Sequence, residues 1–97
     1  MLAGSAKPDP ARPGWINVFD ADGEQVLHFW HNAVSRIVRR ADQPGSSMLV
    51  FISSQGGGWE NAPVPLGKMH AAIVEAKARS EAFEQAWREG ERAAAAK

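Results

Sequence analysis

Two histidines, His28 and His31, have the spacing most open to chemistry in this chain of 97 residues. On a helix, a three-residue separation places both imidazole rings on one face, where they could bind a metal ion; on a strand, it sends them to opposite faces. The surrounding residues, Gln-Val-Leu-His-Phe-Trp-His, favour a strand. The chain also has no cysteine to complete a ligand set. We therefore expect no bound metal and assign both histidines to structural or surface roles.

Three other short patterns match catalytic or ion-binding motifs only in part. Residues 20–24, Asp-Ala-Asp-Gly-Glu, begin like a calcium-binding loop, but the position that should hold its final glutamate is His31. Ser53 and Ser54 have no identifiable base, and the glycines at 56–58 lack the lysine of a phosphate-binding loop. We therefore expect neither a catalytic residue nor a cofactor, and we predict that the protein is not an enzyme.

The chain has three arginines close together, Arg36, Arg39 and Arg40. Because arginine binds phosphate groups, nucleic acid is a candidate ligand. Trp30 could stack on a base beside them. The charge balance argues against this interpretation, since the chain has 11 basic and 11 acidic residues and Asp42 lies two positions after Arg40. We therefore do not expect nucleic acid as a partner, and a nucleic-acid-binding regulator is the alternative function.

The last predicted secondary-structure element of the chain is one long helix. From residue 66 to about residue 96 there is no proline, and strong helix formers dominate. Alternating spacings of three and four place one set of residues on a single face; this set is Leu66, Met69, Ile73, Ala76, Ser80, Phe83, Trp87 and Gly90. The helix would be roughly 40–45 Å long, whereas a body of about 60 residues has a radius of gyration near 10–11 Å. We expect Phe83 and Trp87 to extend beyond that body.

Before Pro65 the pattern predicts strands and turns. The predicted strands are residues 15–19, 25–31 and 48–52, with a short edge segment at 59–64. Residues 32–40 fit either a short helix or a strand, and their β-branched content slightly favours a strand. The predicted fold class is α+β, with a small antiparallel meander sheet of three or four strands followed by one long C-terminal helix.

The domain prediction divides the chain at residue 14. Residues 1–14 contain three prolines and two glycines, which predicts a disordered N-terminal arm. Residues 15–97 form the single α+β domain. The chain has no apolar signal region and no apolar run of membrane-spanning length, so we expect a cytoplasmic protein that does not enter a membrane.

The predicted strands are apolar on both faces, although the chain offers only one helix to cover them. The uncovered face and the helix end predict association with another protein, and a homodimer is the simplest form of it. The predicted partner-binding residues are the anchors Trp59, Phe83 and Trp87, with Glu60 beside Trp59 and with Arg36, Arg39 and Arg40 as rim charges. The predicted function is a small adaptor or inhibitor that binds another protein, of the kind that a phage or mobile element directs at a host complex.

Overall fold

A computed structural model describes residues 4–40, 42–52 and 57–95, and in them six strands precede one helix. The strands are β1 (Ser5–Pro8), β2 (Trp15–Phe19), β3 (Gln25–Trp30), β4 (Val34–Arg39), β5 (Ser47–Phe51) and β6 (Trp59–Ala62). A short 3-10 turn at His31–Ala33 joins β3 to β4, and the helix α1 spans Leu66–Ala95. The predicted α+β class is confirmed.

The strands form two antiparallel sheets instead of the single sheet that was predicted. Their orders are β1-β2-β3 for the first sheet and β4-β5-β6 for the second. The 3-10 turn separates them, because Ala33 is buried there and its carbonyl accepts a hydrogen bond from the N–H of Ile52 at 2.9 Å. That contact directs the chain away from β3, so β4 pairs with β5. Residues 34–39 are therefore a strand, the interpretation that the sequence slightly favoured.

The predicted disordered arm requires a correction, because residues 5–8 form β1 at the edge of the first sheet. Ser5 lies opposite Phe19, and the other end of β1 pairs with the start of β2. The physical reason is Gly4, whose N–H donates to the carbonyl of Pro63 at 2.7 Å. A side chain at this position would overlap the Phe19 carbonyl, so only glycine lets the chain approach so closely. Residues 1–3 lie outside the described ranges.

One hydrophobic core lies between the inner faces of the two sheets and the first half of α1. Its buried members are Ile16, Val18 and Phe29 from the first sheet, Leu49 and Ala62 from the second, and Val64, Met69, Ala72 and Ala76 from the helix and the segment before it. The rings of Phe29 and Phe51 meet edge to face with their centroids 5.9 Å apart, so the two sheets contact each other directly. The sheets thus cover part of the apolar surface that the single-sheet prediction left to a partner.

Only the first half of α1 packs against this body. The helix begins after Pro65, whose carbonyl accepts a hydrogen bond from the N–H of Met69 at 3.0 Å. Its buried residues end at Ser80, and every residue from 81 to 95 is exposed. At 1.5 Å per residue, this exposed half is about 22 Å long. Within the described ranges, no helix combines the length and the apolar character needed to cross a lipid bilayer.

Candidate functional site

The distal face of α1, which we define as Phe83, Trp87, Gly90 and Ala94, continues the buried face of the helix into solvent. These residues keep the alternating spacing of the buried positions that end at Ser80, so they lie on the same side of the helix. The side chains of Phe83 and Trp87 are 57% and 62% exposed. Single exposed apolar residues are common on proteins, but here two large aromatics lie one turn apart on a face without cover. This arrangement is typical of a binding surface.

The opposite side of the same helix segment is charged. Glu84 and Arg88 form an ion pair there, with a nitrogen–oxygen distance of 3.9 Å, and Gln85 donates to Glu89 at 3.3 Å. Residues 81–95 contain four glutamates and two arginines, which gives this segment a net charge of −2. The segment is therefore amphipathic, with one apolar side and one acidic side.

A second apolar surface, the sheet-2 patch, lies on the outer face of the second sheet. Val50 is paired with Arg36 on one side and with Trp59 on the other, so these three residues form one row across the sheet. Met48 and Val38 are paired in the next row and are half-buried. With strands about 4.8 Å apart, Arg36 and Trp59 are separated by about 10 Å. The structure thus brings together the predicted anchor Trp59, 61% exposed, and the predicted rim residue Arg36.

Glu60 and Arg39 do not join the sheet-2 patch. Glu60 is adjacent to Trp59 on β6, and neighbouring side chains of a strand point to opposite faces. Arg39 lies three positions from Arg36, so it also points to the other side of β4. The seven predicted binding residues are therefore divided between different elements and faces, and they do not form one continuous site.

Arg40 takes part in a local polar network. Its guanidinium donates to the side-chain oxygen of Asn61 at 2.7 Å and to the carboxylate of Asp42 at 3.1 Å. The hydrogen bond from Arg40 holds the pKa of Asp42 below its usual value. Because Asp42 balances the charge of Arg40, and because Arg36 and Arg39 point to opposite faces, the three arginines do not form the continuous basic surface that phosphate binding requires.

Four aromatic rings form a row along the outer face of the first sheet, which we call the aromatic row. Trp15 stacks on His28 with centroids 4.7 Å apart, and Trp30 contacts Trp15 at 6.1 Å and His31 at 4.4 Å. The sequence reasoning did not find this row. Its signal was the hairpin register, since Trp15 lies directly opposite Trp30 across β2 and β3.

Charged groups border the aromatic row at both ends. Asp9 accepts a hydrogen bond from His28 at 3.2 Å, and its pKa is lowered mainly by the backbone N–H of Ala11. At the other end, partial burial and the nearby Lys77 lower the pKa of His31, while Glu81 and Glu84 act in the opposite sense. At its His31 end, the row therefore lies next to α1 where the helix leaves the body.

The fold and these surfaces describe a small α+β scaffold with one uncovered amphipathic helix end. Among the described residues, no three histidine, aspartate or glutamate side chains are grouped closely enough to hold a metal ion. Comparisons with protein-family models, with curated proteins and with solved structures found no match to this chain.

Proposed function

We propose that this protein is a small, non-enzymatic protein-binding module, an adaptor or an inhibitor, that also associates with itself. The observation that carries the proposal is the distal face of α1. The helix face that packs on the core through Ser80 continues without cover through Phe83 and Trp87. Covering that surface with another protein removes the two largest exposed aromatic side chains of the helix from water.

The helix end is also well prepared for binding. Its first half is held by the buried residues Met69, Ala72 and Ala76, so the second half is presented in a fixed direction. A helix that is already formed loses less conformational entropy on binding than a disordered segment does. Apolar residues one turn apart are the usual contacts when a helix binds in an apolar groove, and tryptophan is enriched among the residues that dominate binding energy.

The sheet-2 patch supplies a second contact surface. Trp59 would provide an aromatic anchor and Arg36 a charge beside it, as expected of an interface centre and its rim. Because this patch and the distal face lie on different elements, one molecule can contact two proteins, which is what an adaptor requires. An inhibitor would need only one of the two surfaces.

Affinity capture with the full chain tests the proposal. Wild type, Trp87→Ala and Trp59→Ala would be compared with Arg92→Ala, a matched control on the charged side of the same helix segment. We expect wild type and Arg92→Ala to recover the same protein, which is then purified and titrated against each variant. Trp87→Ala should weaken that binding by at least about 30-fold if the tryptophan dominates the contact.

Two results would contradict the proposal. If the variants Trp87→Ala and Trp59→Ala both bind the purified partner as tightly as wild type, neither surface is the binding site. If nuclease treatment removes every partner and binding falls steeply as salt rises, the alternative of a nucleic-acid-binding regulator is correct, because phosphate contacts release counterions.

A further inference from the structure

We propose that the distal face is covered by the distal face of a second copy, in an antiparallel helix pair that sets Phe83 against Ala94 and Trp87 against Gly90. This inference rests on the self-association proposed above and specifies its geometry. The pairing has a twofold axis between residues 88 and 89, so each contact occurs twice.

The order of residue sizes along the distal face carries the inference. The two large side chains, Phe83 and Trp87, come first, and the two small residues, Gly90 and Ala94, follow at the same alternating spacing. In an antiparallel pair each large side chain therefore faces a small one, and four successive layers are filled evenly. A parallel pair would set Trp87 against Trp87 and Gly90 against Gly90, which crowds one layer and leaves a gap in the next.

The uncovered length of the helix fits this pairing. The contacts need residues 83–94 of each copy, and all of these residues are exposed. Ser80, the last buried residue of α1, is close to Gly14 in the body. The paired segment begins beyond that point, so the second helix can bind without displacing any contact of the core.

The flanks of the distal face allow the helices to approach closely on one side. In this register Ala86 of one copy meets Ala93 of the other, and two alanines leave room for the backbones to come together. On the other flank Glu84 of one copy approaches Glu91 of the other. Arg88 lies within one turn of residues 84 and 91 of its own helix and already pairs with Glu84. Its positive charge therefore reduces the repulsion between Glu84 of one copy and Glu91 of the other.

The area of the contact indicates a weak dimer. Somewhat more than half of each Phe83 and Trp87 side chain is exposed, and large aromatics bury 150–250 Å² each when covered. With the alanines, the pair would bury roughly 600–800 Å² in total, below the 1,200–2,000 Å² of stable complexes. We therefore expect a reversible dimer that dissociates on dilution.

Size complementation tests the register directly. Trp87→Ala leaves a small residue against Gly90, and Gly90→Trp places two tryptophans in the same layer, so each variant alone should dimerise at least about 30-fold more weakly than wild type. Mixed in equal amounts, they should form a heterodimer in which each layer again holds one large and one small residue. Sedimentation measures association, and circular dichroism confirms that both variants keep their helix.

Cross-linking gives an independent measure of direction, because the natural chain has no cysteine. Ala86→Cys mixed with Ala93→Cys should be joined by a short bis-maleimide. Ala93→Cys alone should not be, because the two copies of residue 93 lie about 13 Å apart along the pair. If wild type dimerises but the two cysteine variants are not joined, or the size variants fail to complement, the antiparallel register is wrong while the proposed function stands. If wild type is a monomer at every concentration, or if Trp87 is covered only by a different protein, the second-copy inference is wrong. A monomer would also remove self-association from the proposed function, and the capture experiment would then decide separately whether the protein binds a different protein.

Discussion

The buried hydroxyl of Ser47 donates a hydrogen bond to the backbone carbonyl of Val64, with a donor–acceptor distance of 2.9 Å. This bond connects the start of β5 to the segment that leads into α1. Both residues are fully buried, so water cannot replace the hydroxyl.

Ser47→Ala should therefore destabilise the fold. It leaves the Val64 carbonyl without this donor, and an unsatisfied buried polar group costs about 1–3 kcal/mol. Ser35→Ala is the matched control, because the hydroxyl of Ser35 also donates to a carbonyl, that of Val50, but at an exposed position. Urea denaturation of both variants measures the difference; equal stabilities would show that the Ser47 bond adds nothing.

Gly14→Ala should destabilise the protein more than Gly23→Ala does. Both glycines have positive φ, 93° and 85°, a conformation that disfavours any residue with a Cβ by about 1–2 kcal/mol. At Gly23 nothing lies near the added methyl group, whereas at Gly14 it would overlap the Trp30 ring and approach Ser80. The Gly23 variant thus isolates the backbone cost. If both substitutions lower the midpoint of urea unfolding equally, the packing of Trp30 against Gly14 is not rigid.

The stability of the fold should decrease as the pH falls through the range in which His31 titrates. Its pKa in the folded state is below the usual 6.5, because partial burial and Lys77 disfavour the charged ring more than Glu81 and Glu84 favour it. The unfolded chain therefore binds a proton more readily, so the contribution of His31 is present above pH 6.5 and is lost at lower pH. The lowered pKa values of Asp9 and Asp42 act only near and below pH 4, since both carboxylates remain ionised above it.

Comparing the free energy of unfolding at pH 7.5 and pH 5.5 for wild type and for His31→Gln isolates this effect. We expect the wild type to lose more stability than the variant between the two pH values. An equal loss in both proteins would show that His31 does not cause the pH dependence.

The sequence predicted the long helix and most of the strands because their signals are local. Helix formers without proline define α1, and alternation with a glycine turn defines the hairpin of β2 and β3. The division into two sheets could not be predicted in this way, because it depends on a buried Ala33 whose carbonyl binds Ile52, a contact between positions distant in sequence. The strand β1 was missed for a similar reason, since Gly4 has a role only when Phe19 and Pro63 are already in place.

The residues of the candidate site also differ in whether local sequence signals could locate them. Phe83 and Trp87 could be located on one helix face from spacing alone, and the length of the helix predicted that they extend beyond the body. The separation of Arg36 from Arg39 and the pairing of Arg40 with Asp42 required the strand register and side-chain positions. Proximity in sequence suggested one basic cluster, but alternation along a strand divides it between two faces.

Salt should strengthen self-association of the protein. Each distal segment, residues 81–95, has a net charge of −2, so two copies repel each other weakly and added salt screens that repulsion. We expect the dimer dissociation constant to fall a few-fold between 50 mM and 500 mM sodium chloride, as measured by sedimentation. Arg92→Glu should increase the salt dependence, because it makes each segment more acidic on the side away from the contact. A dissociation constant that rises with salt would indicate that opposite charges hold the copies together.

Removing the distal half of α1 should separate stability from association. A chain that ends after residue 82 keeps every buried residue of the helix, since the last of them is Ser80, and loses both Phe83 and Trp87. We expect its free energy of unfolding to lie within about 1 kcal/mol of that of the monomeric wild type, because substitutions and deletions outside buried contacts have small effects. The truncated chain should stay monomeric at concentrations at which wild type dimerises. Urea denaturation and sedimentation of the two chains test both expectations. A truncated chain that unfolds would show that residues 83–95 support the body. A truncated chain that still dimerises would place the interface elsewhere, and the sheet-2 patch around Trp59 would be the next surface to test.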